Sequence, residues 1–442
     1  MSPMPGNSIW QAAQEPEHGV RHLRPLQDFL RTEAFSGLLL MVAVVVALIW
    51  ANSPWSASYE QLWSTPISLR IGSFELALDL RHWINEGLMT LFFFVIGLEI
   101  KRELIKGELR DPRRAALPAI AALGGMAVPA LIFFAFNPSG EASHGWAIPM
   151  ATDIAIALGL LSLLGNRVPV GIKIFLLTLA IVDDIGAIVV IAIFYSTNTV
   201  DLVHLMQAAA LLILAPLLRA MRFRWIPLYA VLAVASWLAV YFAGIHATLA
   251  GVILGILTPA QPLRRPEYVD VDELTDLSDF EAAHKTAVLA RQSVSSVEWL
   301  EHRLHPWVSY AVMPLFALAN AGIVLSATSM NDALTSSVTL GIVAGLVGGK
   351  ILGISVFSLG ALRLGIGSLP TGVTRRQLLS VSALAGVGFT ISIFVADLAF
   401  QDQALNTEAK SGVLIASLVA GLLGLVLLRL TCKPHQNDQT ES

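Results

Sequence analysis

The chain has 442 residues, 55% of them apolar and only 14% charged, with a mean hydropathy of +0.69. Soluble domains carry about 25% charged residues, so this composition excludes an ordinary soluble fold and indicates an integral membrane protein. A net charge of −4 argues against nucleic acid as a partner, and a single cysteine excludes an internal disulfide. That cysteine, Cys432, follows the last apolar run and reads as an inert thiol in a polar tail.

Residues 1–31 are polar, contain Pro3, Pro5, Pro16 and Pro25, and lack the basic-then-apolar start of a cleaved signal peptide. Residues 1–33 therefore read as a cytoplasmic tail, and the first apolar run serves as an uncleaved span. Windows of about 20 apolar residues fall near 34–51, 83–100, 115–136, 146–164, 170–195 and 202–218. Six more fall near 225–243, 246–260, 307–326, 337–361, 378–400 and 411–430, giving an all-α polytopic domain over 34–430 and a second tail over 431–442. With the N-terminus inside, 24 of the 28 Lys and Arg residues lie on the inner side. Only Arg70, Arg81 and Lys410 lie outside, and Lys350 is within a span, so the positive-inside rule places both termini in the cytoplasm.

Two segments between spans stand out. Residues 65–80, within an outer loop over 55–82, alternate around Gly72 and Ser73 and read as a small outer β-hairpin. A lone hairpin is marginal, so it must pack on something, such as its copy in a second subunit. The inner loop 262–305 carries Glu267, Asp270, Asp272, Glu273, Asp276, Asp279 and Glu281 with no base among them. A solvated loop is the favoured reading of that acidic stretch, with a regulatory segment or cation antenna as the alternative.

The chemistry sits in the spans. Asp183 and Asp184 lie mid-run between Ile174 and Phe194, and Asp153 and Lys350 are also deep within spans. Each such charge costs about 2.5–3.5 kcal/mol on insertion scales, so the four sum to about 10–14 kcal/mol before pairing or neutralisation reduces it. A chain that keeps two adjacent carboxylates there points to ions or protons crossing the membrane; the alternative is a buried ion pair without a transport role. Lys350 is the only buried cation, so it should sit beside one of the three aspartates. Asp183 and Asp184 are about 100° apart around a helix, so they cannot point the same way. Pro149 breaks helix bonding just before Thr152 and Asp153, and Gly386, Gly388 and Thr390 interrupt the eleventh window. Two interrupted helices in corresponding halves point to a transporter with inverted repeats, here spans three to five and ten to twelve, around a midplane site.

A second cluster lies at the inner edge: Glu99, Arg102 and Glu103 end the second span, and Glu301, His302 and His305 lead into the ninth. Histidines near carboxylates titrate in the physiological range, although by residue type alone an ordinary charged collar is favoured. His246, opening the eighth span, reads by itself as a hydrogen-bonded interfacial histidine.

Seven strings, in order and together covering roughly residues 30–430, resemble the bacterial NhaA-type sodium/proton antiporters: Phe93–Leu104, Ala151-Thr-Asp-Ile-Ala155, Val182-Asp-Asp-Ile-Gly186, His246–Val252, Leu300–Val308, Gly349–Gly353 and Gly388–Phe394. The resemblance implies a twelve-helix inner-membrane exchanger with two crossing, interrupted helices and no cofactor. Asp184 would be the main Na+ or Li+ ligand, and Asp183 would share or gate it by pairing with Lys350. Asp153, with Thr152 at the crossing, would compensate positive helix ends and Lys350 negative ones. Glu99, Arg102, Glu103, Glu301, His302, His305 and His246 would serve pH activation, and the outer hairpin would join a homodimer. Exchange by alternating access, with one cation competing against more than one proton, would be electrogenic. Asp397, near the end of the eleventh span, has no recognised counterpart, and the 267–281 stretch is longer than expected.

Two rival readings stand beside this one. An intramembrane aspartyl protease needs aspartates from two facing helices, and an organic-anion transporter needs a basic cavity.

Overall fold

The computed structural model describes residues 24–71, 74–196, 200–221, 225–261, 294–324 and 335–432. Among the described residues it is mostly helix, with twelve rods in chain order where the twelve apolar windows fall. Five are long, apolar single helices, among them Pro112–Phe136 (third), Val170–Phe194 (fifth) and Gln403–Thr431 (twelfth). Polar caps start many of them. Asp111, Asp201 and Asp402 accept backbone N–H bonds at the third, sixth and twelfth spans, and Thr374 with Gln377 forms a capping box at the eleventh.

Two rods are broken. The fourth runs as a 3₁₀ segment Glu141–Met150, an extended link, then Ile154–Ser162, with a 42° bend. The eleventh runs as Arg375–Leu384 and Phe389–Ala399, bent by 48°. These breaks fall at the Pro149 and Gly386–Gly388 positions expected from sequence. The third and tenth spans pack closely beside them. A Cβ at Gly353 would overlap the Gly124 carbonyl, so only small residues allow this approach.

The hairpin also forms, with strands Pro66–Ile71 and Phe74–Asp79 antiparallel and Leu69 opposite Leu76. Its turn residues, Gly72 and Ser73, lie outside the described residues, as does the acidic 267–281 stretch. The outer loop 55–82 also holds a short helix, Ser56–Trp63, that hydropathy did not signal. It docks by Tyr59, whose hydroxyl lies 2.9 Å from the Leu318 carbonyl and accepts from Gly322 N at 3.1 Å.

Two sequence readings need correction. The ninth rod does not begin at Trp307: helix Ser296–Trp307 starts eleven residues earlier, contains Pro306, and continues through a π-turn (Val308–Val312) into Met313–Asn320. Cys432 is not in an exposed tail. It caps the twelfth span, is 2% exposed, and accepts from Gln377 Nε2 at 3.5 Å.

Candidate functional site

The two breaks cross. Asp153 N donates to Val387 O at 2.7 Å, and Ser392 Oγ donates to Ile148 O at 2.7 Å, so each link satisfies backbone groups of the other span. Such unwound backbone is viable at membrane depth only when buried in protein like this. Asp153 faces two helix starts at once. Its Oδ1 accepts from Ile156 N at 3.0 Å. Its Oδ2 accepts from Thr390 N at 3.0 Å and Thr390 Oγ1 at 2.5 Å. Two positive helix ends converge on one carboxylate.

On the fifth span the two aspartates part as the helix phase requires. Asp183, fully buried, receives Lys350 Nζ at 2.6 Å and Thr152 Oγ1 at 2.8 Å on Oδ2. Lys350 Nζ also donates to Thr152 Oγ1 at 3.0 Å, and that hydroxyl lies 2.9 Å from the Ala385 carbonyl. Having one hydrogen, Thr152 donates to either Asp183 or Ala385, never both. Lys350 reaches the negative end of Arg375–Leu384 through Thr152.

Asp184, 3% exposed, lines a narrow cleft together with Glu99, Asp153, Leu177, His305 and Thr390. Its Oδ1 is buried without a hydrogen-bond partner. Asp153 is balanced by helix ends and Asp183 by Lys350, so the uncompensated charge falls on Asp184. Among the described residues no three His, Cys, Asp or Glu side chains converge as a resident metal site would.

The cleft's other end is the Glu99 cluster. Arg102 bonds both Glu301 and Glu103, the latter at 3.2 Å, and His305 Nε2 lies 3.8 Å from Glu99 Oε1. Glu301, six residues before the apolar stretch of the ninth span, is pushed up to about 7 by burial and by Glu99 and Glu103, against Arg102 and His305. Arg102 is partly buried, which alone would lower its pKa, yet Glu301, Glu99 and Glu103 raise it and keep it charged. His302 is exposed and joins none of these contacts.

His246 also stands apart. Its Nε2 bonds the Tyr195 carbonyl at 2.6 Å, so Nε2 carries a proton, and Nδ1 lies 3.9 Å from Glu86 Oε1. Glu86 precedes Glu99 by thirteen residues of helix, placing this pair about 20 Å from the cluster. Sequence reasoning missed Glu86, only three residues inside its window, and did not assign Thr390 a site role despite its place beside the glycine break.

Comparison with known proteins gives one answer over nearly the whole chain. The model of the family described as Na+/H+ antiporter 1 matches residues 27–428. A Na(+)/H(+) antiporter NhaA 3 from Frankia alni is 46% identical over 429 residues, 95% of this chain and 92% of the relative. A Na(+)/H(+) antiporter NhaA from Serratia proteamaculans is 45% identical over 412 residues, 92% of this chain and 98% of the relative. Both rival readings, protease and organic-anion carrier, fall to this match. The chain belongs to the NhaA-type Na+/H+ antiporter family.

Proposed function

We propose that the protein exports Na+ or Li+ in exchange for external H+, with Asp184 as the principal cation ligand. The observation that carries this reading is Asp184 itself, a buried carboxylate lining the cleft with no ion pair among the described residues; Asp183 and Asp184 each keep one oxygen without a hydrogen-bond partner, but Asp183 holds Lys350 and Asp153 meets two helix starts. A small hard cation takes oxygen ligands, and the carboxylates of Asp184 and Asp153 with the Thr390 hydroxyl offer them along one wall.

Loss of protons from the Asp183, Asp184 and Lys350 group frees carboxylate for the cation on the cytoplasmic side. The repeats then rock, and protons entering from outside displace it. More than one proton per cation makes the cycle electrogenic, so the membrane potential helps drive sodium out. The Glu99, Arg102, Glu103, Glu301 and His305 cluster, at the mouth of the same cleft, governs pH activation. The protein sits in the inner membrane with both termini cytoplasmic, supported by the Lys and Arg distribution, and pairs as a homodimer through the hairpin.

The test is Asp184→Asn in everted vesicles. Sodium-dependent proton movement is abolished in the variant at wild-type expression, and normal exchange there would overturn the assignment.

A further inference from the structure

Asp397, unaccounted for by the family pattern, makes a nearly buried ion pair. Its Oδ1 receives Lys410 Nζ at 2.6 Å, with side-chain exposures of 20% and 12%. Asn406 Nδ2 donates to the same Oδ1 at 3.0 Å and lies 3.3 Å from the Ala396 carbonyl. Both partners are on the twelfth span, and Asp397 is on the half-helix Phe389–Ala399.

That half-helix is about 16 Å long and ends in non-helical backbone on both sides, at Gly386–Gly388 and at Phe400. Chain continuity therefore fixes its tilt poorly; burial of Phe389 to Ala396 holds it in the core, and polar contacts at its two ends set its orientation. At one end Thr390 binds Asp153. Two turns away, Lys410 and Asn406 hold the other, where a cation is also favoured by the carbonyl end of the helix. The twelfth span is itself tied to the tenth, which carries Lys350. Ser336 Oγ donates to Glu408 Oε2 at 2.5 Å, and Thr339 Oγ1 to the Glu408 carbonyl at 2.9 Å.

We propose that Asp397 and Lys410 are positioning residues for cation binding: their ion pair sets the half-helix that presents Thr390 to Asp153, and so fixes the far wall of the cation site. This rests on the reading of Asp153 and Thr390 as part of that site. Neither Asp397 nor Lys410 touches the cation.

The experiment measures apparent KM for sodium and maximal rate in everted vesicles for the full-length protein, D397N, K410Q, D397N/K410Q and the swap D397K/K410D. The three neutralised variants raise KM about 3–10-fold with a smaller change in maximal rate, and the swap returns KM toward wild type. A wild-type KM in D397N/K410Q, which leaves no lone buried charge, overturns the proposal. So does a swap no better than the single variants at equal expression. If the wild-type protein itself moves no protons on sodium addition, the functional reading fails instead. The positioning claim is then read from melting temperatures of D397N, T390A and their combination. Non-additive losses support it and additive losses overturn it.

Discussion

The span crossing and the Glu99–Glu301 cluster both set buried carboxylates against cations, yet they hold charge differently. At the crossing, much of the compensation is backbone: two helix starts meet Asp153, and one helix end reaches Lys350 through Thr152. Those partners cannot titrate or swing away. In the cluster most partners are side chains, although Glu103 also accepts from Glu108 N at 3.0 Å, and Glu301 retains a buried Oε2 without a hydrogen-bond partner. The first arrangement suits a site that must keep one geometry while its cargo changes. The second suits a group of charges that rearranges as protons come and go.

The largest effect should come from breaking the crossing. Lys350→Met strands Asp183 as a buried carboxylate with its cation removed, which costs about 3–5 kcal/mol when a buried pair loses one member. The purified variant should melt well below wild type, and D183N/K350M should recover much of the loss. Equal melting of the single and double variants would mean that the pair is not the crossing's main electrostatic tie.

An intermediate effect belongs to the cluster. Glu301 has a folded-state pKa of about 7, above its ordinary 4.5, so its favourable contribution is full below about 4.5 and is lost as pH rises through about 7. Rising pH therefore loosens the cluster. Glu301→Gln should flatten the fall in melting temperature between about pH 6 and 8 and blunt any step in exchange rate across that interval; an unchanged profile would assign the titration to another group.

The smallest effect sharpens the contrast. His302→Ala should leave the pH profile of exchange as in wild type, because His302 is exposed and outside the contacts. A shifted profile would show that the cluster acts through bulk charge.

Much of this was legible in the chain. Hydropathy located the rods, Pro149 and the Gly386–Gly388 pair marked both breaks, and the cost of buried charge required a partner for Lys350. That this partner is Asp183 came from the family resemblance and not from the charge argument, and the partner of Asp153 was not legible at all. Thr390 meets Asp153 across 237 positions, and only the crossing brings them together. His302 and His305 were indistinguishable while the ninth span was read as beginning near residue 307. Once the helix runs from Ser296, Glu301 and His305 are four apart and share a face, and His302 is turned away. The resemblance joined His246 to the same pH-activation group, whereas the residue by itself read as an interfacial histidine. Its place at the start of the eighth span puts it with Glu86 instead.

The central claim is that Asp184 is where sodium and protons compete. It is tested most directly by adding sodium to the purified protein in weakly buffered detergent solution and recording proton release. The wild-type protein should release protons saturably across neutral to alkaline pH, and Asp184→Asn should release none while keeping its fold. Proton release of wild-type size from Asp184→Asn would contradict the account.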